Sequence, residues 1–176
     1  MSDQPFNILI LCTANSARSI LGEAILTKLC GDRVKAFSAG STPRGTPNPD
    51  GIALLKSLGH DVGGLRSKSW DEFAGPDAPK MDIVITVCDN AAGESCPFWP
   101  GAPVQAHWGI PDPAGRGETS DERRAAFAET YRLLEARILA LASLPFEEMQ
   151  PQDLKAALNT IGAMSGATDL AASGAG

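Results

Sequence analysis

Residues Cys12-Thr13-Ala14-Asn15-Ser16-Ala17-Arg18-Ser19 put a cysteine six positions ahead of an arginine, with a serine directly after it. The octet follows the apolar run Asn7 to Leu11 and leads into the amphipathic stretch Ile20 to Leu29. A strand, a tight loop of small residues and a helix start therefore meet at one thiol. Loop amides and a helix N-terminus together make an anion site, because unpaired N–H groups and the positive end of the helix dipole point the same way. A thiol placed there is expected to have its pKa lowered from about 8.5 into the range of roughly 3.5–7.5. A drop of about 2 units requires about 3 kcal/mol of differential stabilisation, shared here among Arg18, the loop amides and Ser19. The competing reading, a buried strand-end thiol beside a surface arginine, explains neither the strand-to-helix placement nor Ser19. The glycines and lysine of a nucleotide P-loop are absent.

The flanking sequence fits an α/β chain. Phe6 to Leu11 reads as a first strand, Ser19 to Cys30 as a helix, and Val34 to Ser38 as a second strand stopped by Ala39-Gly40. Asn48-Pro49-Asp50 opens a helix that runs to Leu58 and stops at Gly59. One turn is expected around Trp70 to Phe73, a buried strand over Asp82 to Val87, and a short fourth strand over Val104 to His107. Ser120 to Leu141 is the longest helix, with Phe127, Tyr131, Leu134, Ile138 and Leu141 at three- and four-residue spacing. Strands alternating with helices imply right-handed crossovers and a parallel sheet, with ligands at the carboxyl ends of the strands. The chain of 176 residues suits one domain over 1–144. The remainder, 145–176, is expected to be an extension: a short helix over Gln152 to Ile161, then a disordered Gly/Ala/Ser-rich tail.

Two further clusters carry chemistry. Cys88 closes the third strand on the sheet edge where Cys12 closes the first, and Cys96 lies eight positions on, after small and polar residues. A thiol at a strand end and another on a loop suit thiol–disulfide exchange. Cys88, Cys96 and His107 lack the short pairs and the fourth ligand of a zinc site, so no metal is predicted. In His107-Trp108-Gly109-Ile110-Pro111-Asp112-Pro113, two prolines clamp Asp112, which reads either as the local hydrogen-bond acceptor of an Asp-Pro turn or, over an anion site, as an acid for a leaving oxygen. His107 and Trp108 read as packing or hydrogen-bonding residues. Ser38-Ala39-Gly40 is a candidate brace for the loop, and Arg66, Ser67 and Lys68 a candidate source of positive charge near its mouth. Cys30 is assigned no role.

These motifs together resemble the arsenate reductases built on the low-molecular-weight protein tyrosine phosphatase fold, over roughly residues 6–144. The reductase branch is favoured by His107-Trp108-Gly109 ahead of Asp112-Pro113 and by the two cysteines around the loop after the third strand. The phosphatase branch often carries a second cysteine inside the anion loop, where this chain has Ala17, and an aromatic residue after Asp-Pro, where it has Ala114. The resemblance implies a three-layer sandwich around a four-stranded parallel sheet. It implies an oxyanion held by Thr13, Ala14, Asn15, Ser16, Ala17, Arg18 and Ser19, attack by Cys12, and protonation by Asp112. For arsenic, Cys88 would then attack Cys12 and expel arsenite, and Cys96 would take over the disulfide. The spacing of the last two cysteines is C-x7-C, against C-x6-C in the better-known thioredoxin-coupled relatives. Those relatives also hold a potassium ion beside the loop with an acidic residue, and Ser67-Lys68-Ser69 offers no carboxylate there, so that ion is not predicted.

The expected partners are arsenate, with phosphate or sulfate competing, and thioredoxin or glutathione/glutaredoxin as the external reductant, with no bound cofactor. A phosphatase using Cys12, Arg18 and Asp112 alone, and a non-catalytic oxyanion-binding or redox-sensing module, are the alternatives. Net charge is −6, which argues against nucleic acid. No apolar run approaches the ~20 residues of a membrane span, and no signal-peptide pattern opens the sequence. A cytoplasmic monomer is expected.

Overall fold

The computed structural model describes residues 4–93, 99 and 103–173. Four strands, β1 (Phe6–Cys12), β2 (Val34–Gly40), β3 (Ile83–Thr86) and β4 (Val104–His107), form one parallel sheet in the order β2-β1-β3-β4. The chain leaves β1 for one side, through β2, and then crosses to the other side for β3. A crevice therefore opens at the carboxyl ends of β1 and β3, the usual ligand position in such sheets. Register sets what lies there: Leu11 pairs with Thr86, and Val87 N–H donates to the Leu11 carbonyl. Cys12 and Cys88 thus leave the sheet side by side.

The strands are near-continuous apolar runs because both faces of the sheet are covered. Ile8, Ile10, Ile83, Ile85 and Val87 pack in one cluster with residues of α1 (Arg18–Cys30) and of the long C-terminal helices. Leu9, Leu11 and Val84 face the other way onto Phe73, Met81 and Trp99. Trp70–Phe73 forms a short 3₁₀ turn under that second face.

The other helices are α2 (Pro49–Ser57), α3 (Asp89–Gly93), α4 (Ser120–Ala142), α5 (Pro151–Gly162) and α6 (Asp169–Ala172). Asn48 caps α2 by accepting from Asp50 N–H, with Pro49 at the first helical position. α4 opens with a reciprocal capping box between Thr119 and Glu122, and buries Phe127, Tyr131, Leu134, Ile138 and Leu141. No helix among the described residues is long and apolar enough to cross a membrane.

The C-terminal segment departs from the sequence expectation. The helix there spans Pro151–Gly162, and residues 163–173 pack on the domain instead of forming a disordered tail. Two observations account for this. Buried Leu154, Leu158 and Ile161 give α5 an apolar face that joins the main cluster. The wholly buried Arg137 guanidinium donates to the carbonyls of Leu133, Met164 and Ser165, which ties the turn after α5 to α4. A small-residue composition does not report such long-range partners.

At the end of β2, Gly40 N–H donates to the Lys68 carbonyl and Gly40 bridges to Ser69. A Cβ on Gly40 would press on the Thr13 carbonyl and lie 2.9 Å from Asn15 N. Only glycine lets the anion loop and β2 approach this closely. Gly40→Ala should therefore destabilise the fold by about 1–3 kcal/mol in urea unfolding. Gly75→Ala, with nothing within 4 Å of the added atom, should stay within about 0.5 kcal/mol of the parent.

Candidate active site

The loop between β1 and α1 is shaped by its carbonyls. Those of Thr13, Ala14 and Ser16 accept from the N–H groups of Thr42, Arg44 and Asn48, and Ser67 Oγ also donates to Ala14 O at 3.1 Å. With these carbonyls committed outward, the loop turns its N–H side to the concavity, where the Asn15 and Ser19 amides already serve the Cys12 sulfur, the arrangement of a nest for an anion. Ala17, at the N-cap of α1, makes no side-chain cap, so the first-turn N–H groups of α1 are not claimed by a capping side chain. Residues 42–48, a Pro/Gly-rich stretch with no regular element, clamp the anion loop through those backbone bonds.

Asn15 sits at φ 46°, the one non-glycine residue with positive φ among the described residues. Its buried side chain holds that conformation. Asn15 Nδ2 donates to Ser19 Oγ (2.7 Å) and Ser38 Oγ (3.0 Å), and Asn15 Oδ1 accepts from Lys68 N–H (2.9 Å). The expected bracing by Ser38 is therefore present and runs through Asn15. Because Ser19 Oγ accepts from Asn15, its own proton is free to point at Cys12 Sγ, 2.9 Å away. Asn15 N–H donates to the same sulfur at 3.2 Å. Asn15 and Ser19 thus serve the loop and the thiol from beneath, while the cavity itself, about 140 Å³, is lined by Cys12, Thr13, Ala14, Ser16, Ala17 and Arg18 of the octet.

The expectation of a lowered Cys12 thiol needs correction. Burial raises the Cys12 pKa above its ordinary value, and the nearby Cys88 adds to the rise; the Ser19 hydroxyl and the Ser19 and Asn15 amides pull it down. The Arg18 guanidinium contributes differently from the expectation. It donates to the Ile110 carbonyl at 2.9 Å and lies 3.6 Å from Asp112 Oδ2. Arg18 is therefore held at the cavity, which it lines, by two acceptors of the Ile110–Asp112 segment. Asp112 is half-exposed at the cavity mouth, its Oδ1 accepting from Ala114 N–H.

Arg44 and Asn90 also line the cavity. Neither carries a local signal in the sequence: Arg44 lies in a Pro/Gly-rich stretch and Asn90 in a run of small and polar residues. Cys88 is buried, and its sulfur lies 3.5 Å from Thr13 Oγ1, so the hydroxyl of the residue after Cys12 touches the second thiol. Ala91 N–H donates to Cys88 Sγ at 3.4 Å. Cys12, Cys30 and Cys88 are all free thiols; Cys96 lies outside the described residues.

Of the Arg66-Ser67-Lys68 group, only Arg66 is surface charge, paired with Glu72. Lys68 is buried: its Nζ donates to Arg66 O (2.9 Å) and Ser38 Oγ (3.4 Å) and lies 3.6 Å from Glu23. Burial lowers the Lys68 pKa and Glu23 opposes the shift. The Lys68 ammonium thus puts its own positive charge beside the loop, on the Arg66 carbonyl, Ser38 and Glu23. His107 and Trp108 are buried and hydrogen-bonded, to Thr86, Asp89 and Leu158.

Comparison with known proteins places this geometry. Residues 7–156 match the family of low molecular weight phosphotyrosine protein phosphatases. An arsenate reductase of Halalkalibacterium halodurans is 34% identical over 135 residues, covering 77% of this chain and 94% of that protein. Among solved structures, a low molecular weight phosphotyrosine phosphatase from Vibrio cholerae superposes with a TM-score of 0.63 at 19% identity, covering 81% of this chain and 97% of its own. A thioredoxin-dependent arsenate reductase of Corynebacterium glutamicum gives a TM-score of 0.57 at 22% identity, covering 80% of this chain and 62% of that one. A strand-loop-helix thiol with its arginine, a second thiol at the neighbouring strand end, and a match along most of the chain agree: this protein belongs to the low molecular weight phosphotyrosine protein phosphatase family, in its arsenate reductase branch.

Proposed function

We propose that this protein reduces arsenate to arsenite with Cys12 as nucleophile and Cys88 as the second thiol. The observation that carries the reading is the convergence of two buried free thiols at one crevice, linked through the Thr13 hydroxyl. A phosphatase of this fold needs Cys12, Arg18 and Asp112 and has no use for the second thiol.

Arsenate is a tetrahedral oxyanion that sits in the octet with its oxygens on the loop N–H groups and the Arg18 guanidinium. Cys12 sulfur attacks arsenic, and Asp112 at the mouth delivers a proton to the departing oxygen, which leaves as water. The fixed donors of the loop stabilise the charge of the crowded intermediate at no cost in reorganisation. The Cys88 thiolate then attacks Cys12 Sγ. A sulfur–sulfur bond forms, the sulfur–arsenic bond breaks, and its electron pair stays on arsenic, which departs as arsenite. The two electrons come from the thiols, so the Cys12–Cys88 disulfide must be reduced by an external dithiol. Cys96 is the proposed intermediary, attacking Cys88 and releasing Cys12; thioredoxin or glutathione/glutaredoxin then closes the cycle. The free thiols fit a reducing compartment, and we place the protein in the cytoplasm. The fold and the loop serve phosphate equally well, so hydrolysis of phosphate monoesters is the second reading.

Arsenate-dependent NADPH oxidation, measured with thioredoxin and its reductase and with glutathione, glutaredoxin and glutathione reductase, tests both readings and identifies the reductant. Cys12→Ser and Cys88→Ser should each lower turnover by at least about 10³-fold. Turnover that survives Cys88→Ser contradicts the relay, and aryl phosphate hydrolysis that survives it supports the phosphatase reading.

The Ser19 hydrogen bond generates a second prediction. A bond to a charged group is worth about 1.5–3 kcal/mol, so Ser19→Ala should move the pH midpoint of Cys12 alkylation by iodoacetamide upward by about 1–2 units. The direction follows because the Ser19 hydroxyl stabilises the thiolate, and its loss leaves burial opposed only by the Ser19 and Asn15 amides.

A further inference from the structure

The carboxylate next to Cys88 is gripped by a residue from beyond the matched family region. Asp89, the first residue of α3, accepts at Oδ1 from two groups at once: His107 Nε2 at 2.6 Å and Thr168 Oγ1 at 2.8 Å. Thr168 lies past residue 156, where the family match ends. Its backbone is fixed too, since Thr168 N–H donates to the Gly109 carbonyl at 3.0 Å, and its hydroxyl accepts from Ala171 N–H as the N-cap of α6. The Asp89 carboxylate can only accept, so His107 Nε2 carries the proton shared with it, while Nδ1 lies 2.7 Å from Thr86 Oγ1. Gly109 makes the meeting possible: a Cβ there would stand 2.5 Å from Asp89 Oδ1, His107 Nε2 and Thr168 Oγ1 alike. The Trp108 indole N–H donates to Leu158 O in α5, so the His107-Trp108-Gly109 run is where the C-terminal segment lands on the domain.

We propose that Thr168 is a positioning residue for the Cys88 step, its hydroxyl holding Asp89, and with it the start of α3, so that Cys88 faces Cys12. This rests on the reading of Cys88 as the attacking thiol. The segment carrying Thr168 is itself anchored, through the Arg137 guanidinium on the Met164 and Ser165 carbonyls and through buried Ala171. The Thr168 hydroxyl touches neither the octet nor a residue of the anion-cavity lining, so its loss acts first on Asp89 and the neighbouring Cys88. Oxyanion binding and attack by Cys12 proceed without it.

The test compares the full-length protein with Thr168→Val and Thr168→Ser, reading steady-state arsenate reduction and the iodoacetamide alkylation rates of Cys12 and Cys88 by peptide mass spectrometry. Thr168→Val, which keeps the shape and removes the hydroxyl, should lower kcat about tenfold with the arsenate KM unchanged. It should also raise the Cys88 alkylation rate several-fold while leaving that of Cys12 as in the parent. Thr168→Ser should restore both. Unchanged kcat and Cys88 alkylation in a folded Thr168→Val variant overturn the proposal, as does an equal change in the Cys12 rate. Should the valine variant not fold, hydrogen exchange in the parent decides. Amides of 89–91 and 168–172 should then open with matching free energies, and independent opening overturns the coupling. If the parent reduces no arsenate, the functional reading fails, while the alkylation comparison still reports on Thr168.

Discussion

Asn15 holds a left-handed backbone conformation that costs a non-glycine residue about 1–3 kcal/mol, and the site depends on that cost being met. Three buried hydrogen bonds from its side chain, to Ser19, Ser38 and the Lys68 backbone, offset it. The same bonds set the direction of the Ser19 hydroxyl and so the environment of the Cys12 sulfur. Beneath them, Ser38 donates to Glu23 at 2.6 Å, with the Lys68 ammonium alongside. A chain of polar contacts thus runs from a buried lysine to the nucleophile. Breaking it at Asn15 would relax the loop and leave several buried donors and acceptors unpaired at once.

Sheet topology does the second part of the work. The order β2-β1-β3-β4 leaves a crevice beside the end of β1, and the register of β1 on β3 brings Cys88 to the same crevice. An oxyanion site and a second thiol become neighbours through backbone hydrogen bonds, before any side chain is specialised. Converting an oxyanion-attacking loop into a reductase then requires little beyond a thiol at the end of β3 and a way to discharge the resulting disulfide.

Much of this was legible in the sequence because it is locally encoded. The four strands, the helices after β1 and β2, and the long helix with Phe127, Tyr131 and Leu134 on one face follow from apolar periodicity and from Asn48-Pro49 and Gly59. The octet was legible because its residues are contiguous. What was missed is non-local. Arg44 and Asn90 line the cavity from segments 25 and more residues away from the octet. Lys68 reads as positive charge near the loop mouth, whereas the structure buries it on Ser38 and Glu23. The helix start and Arg18 point to a lowered Cys12 thiol, whereas burial, invisible in a local motif, pushes the other way. The Gly/Ala/Ser composition of residues 163–173 gave no hint that Arg137, Gly109 and Asp89 receive them.

The central claim is that the electrons reaching arsenic come from Cys12 and Cys88 together. Single turnover tests it directly, with pre-reduced Cys96→Ser protein, so that the first disulfide has nowhere to move, mixed with excess arsenate and no external reductant. The account predicts one equivalent of arsenite per chain and a single disulfide-linked peptide pair joining Cys12 to Cys88. Arsenite formed without that linkage, or no arsenite from protein whose Cys12 and Cys88 are both reduced, would contradict it.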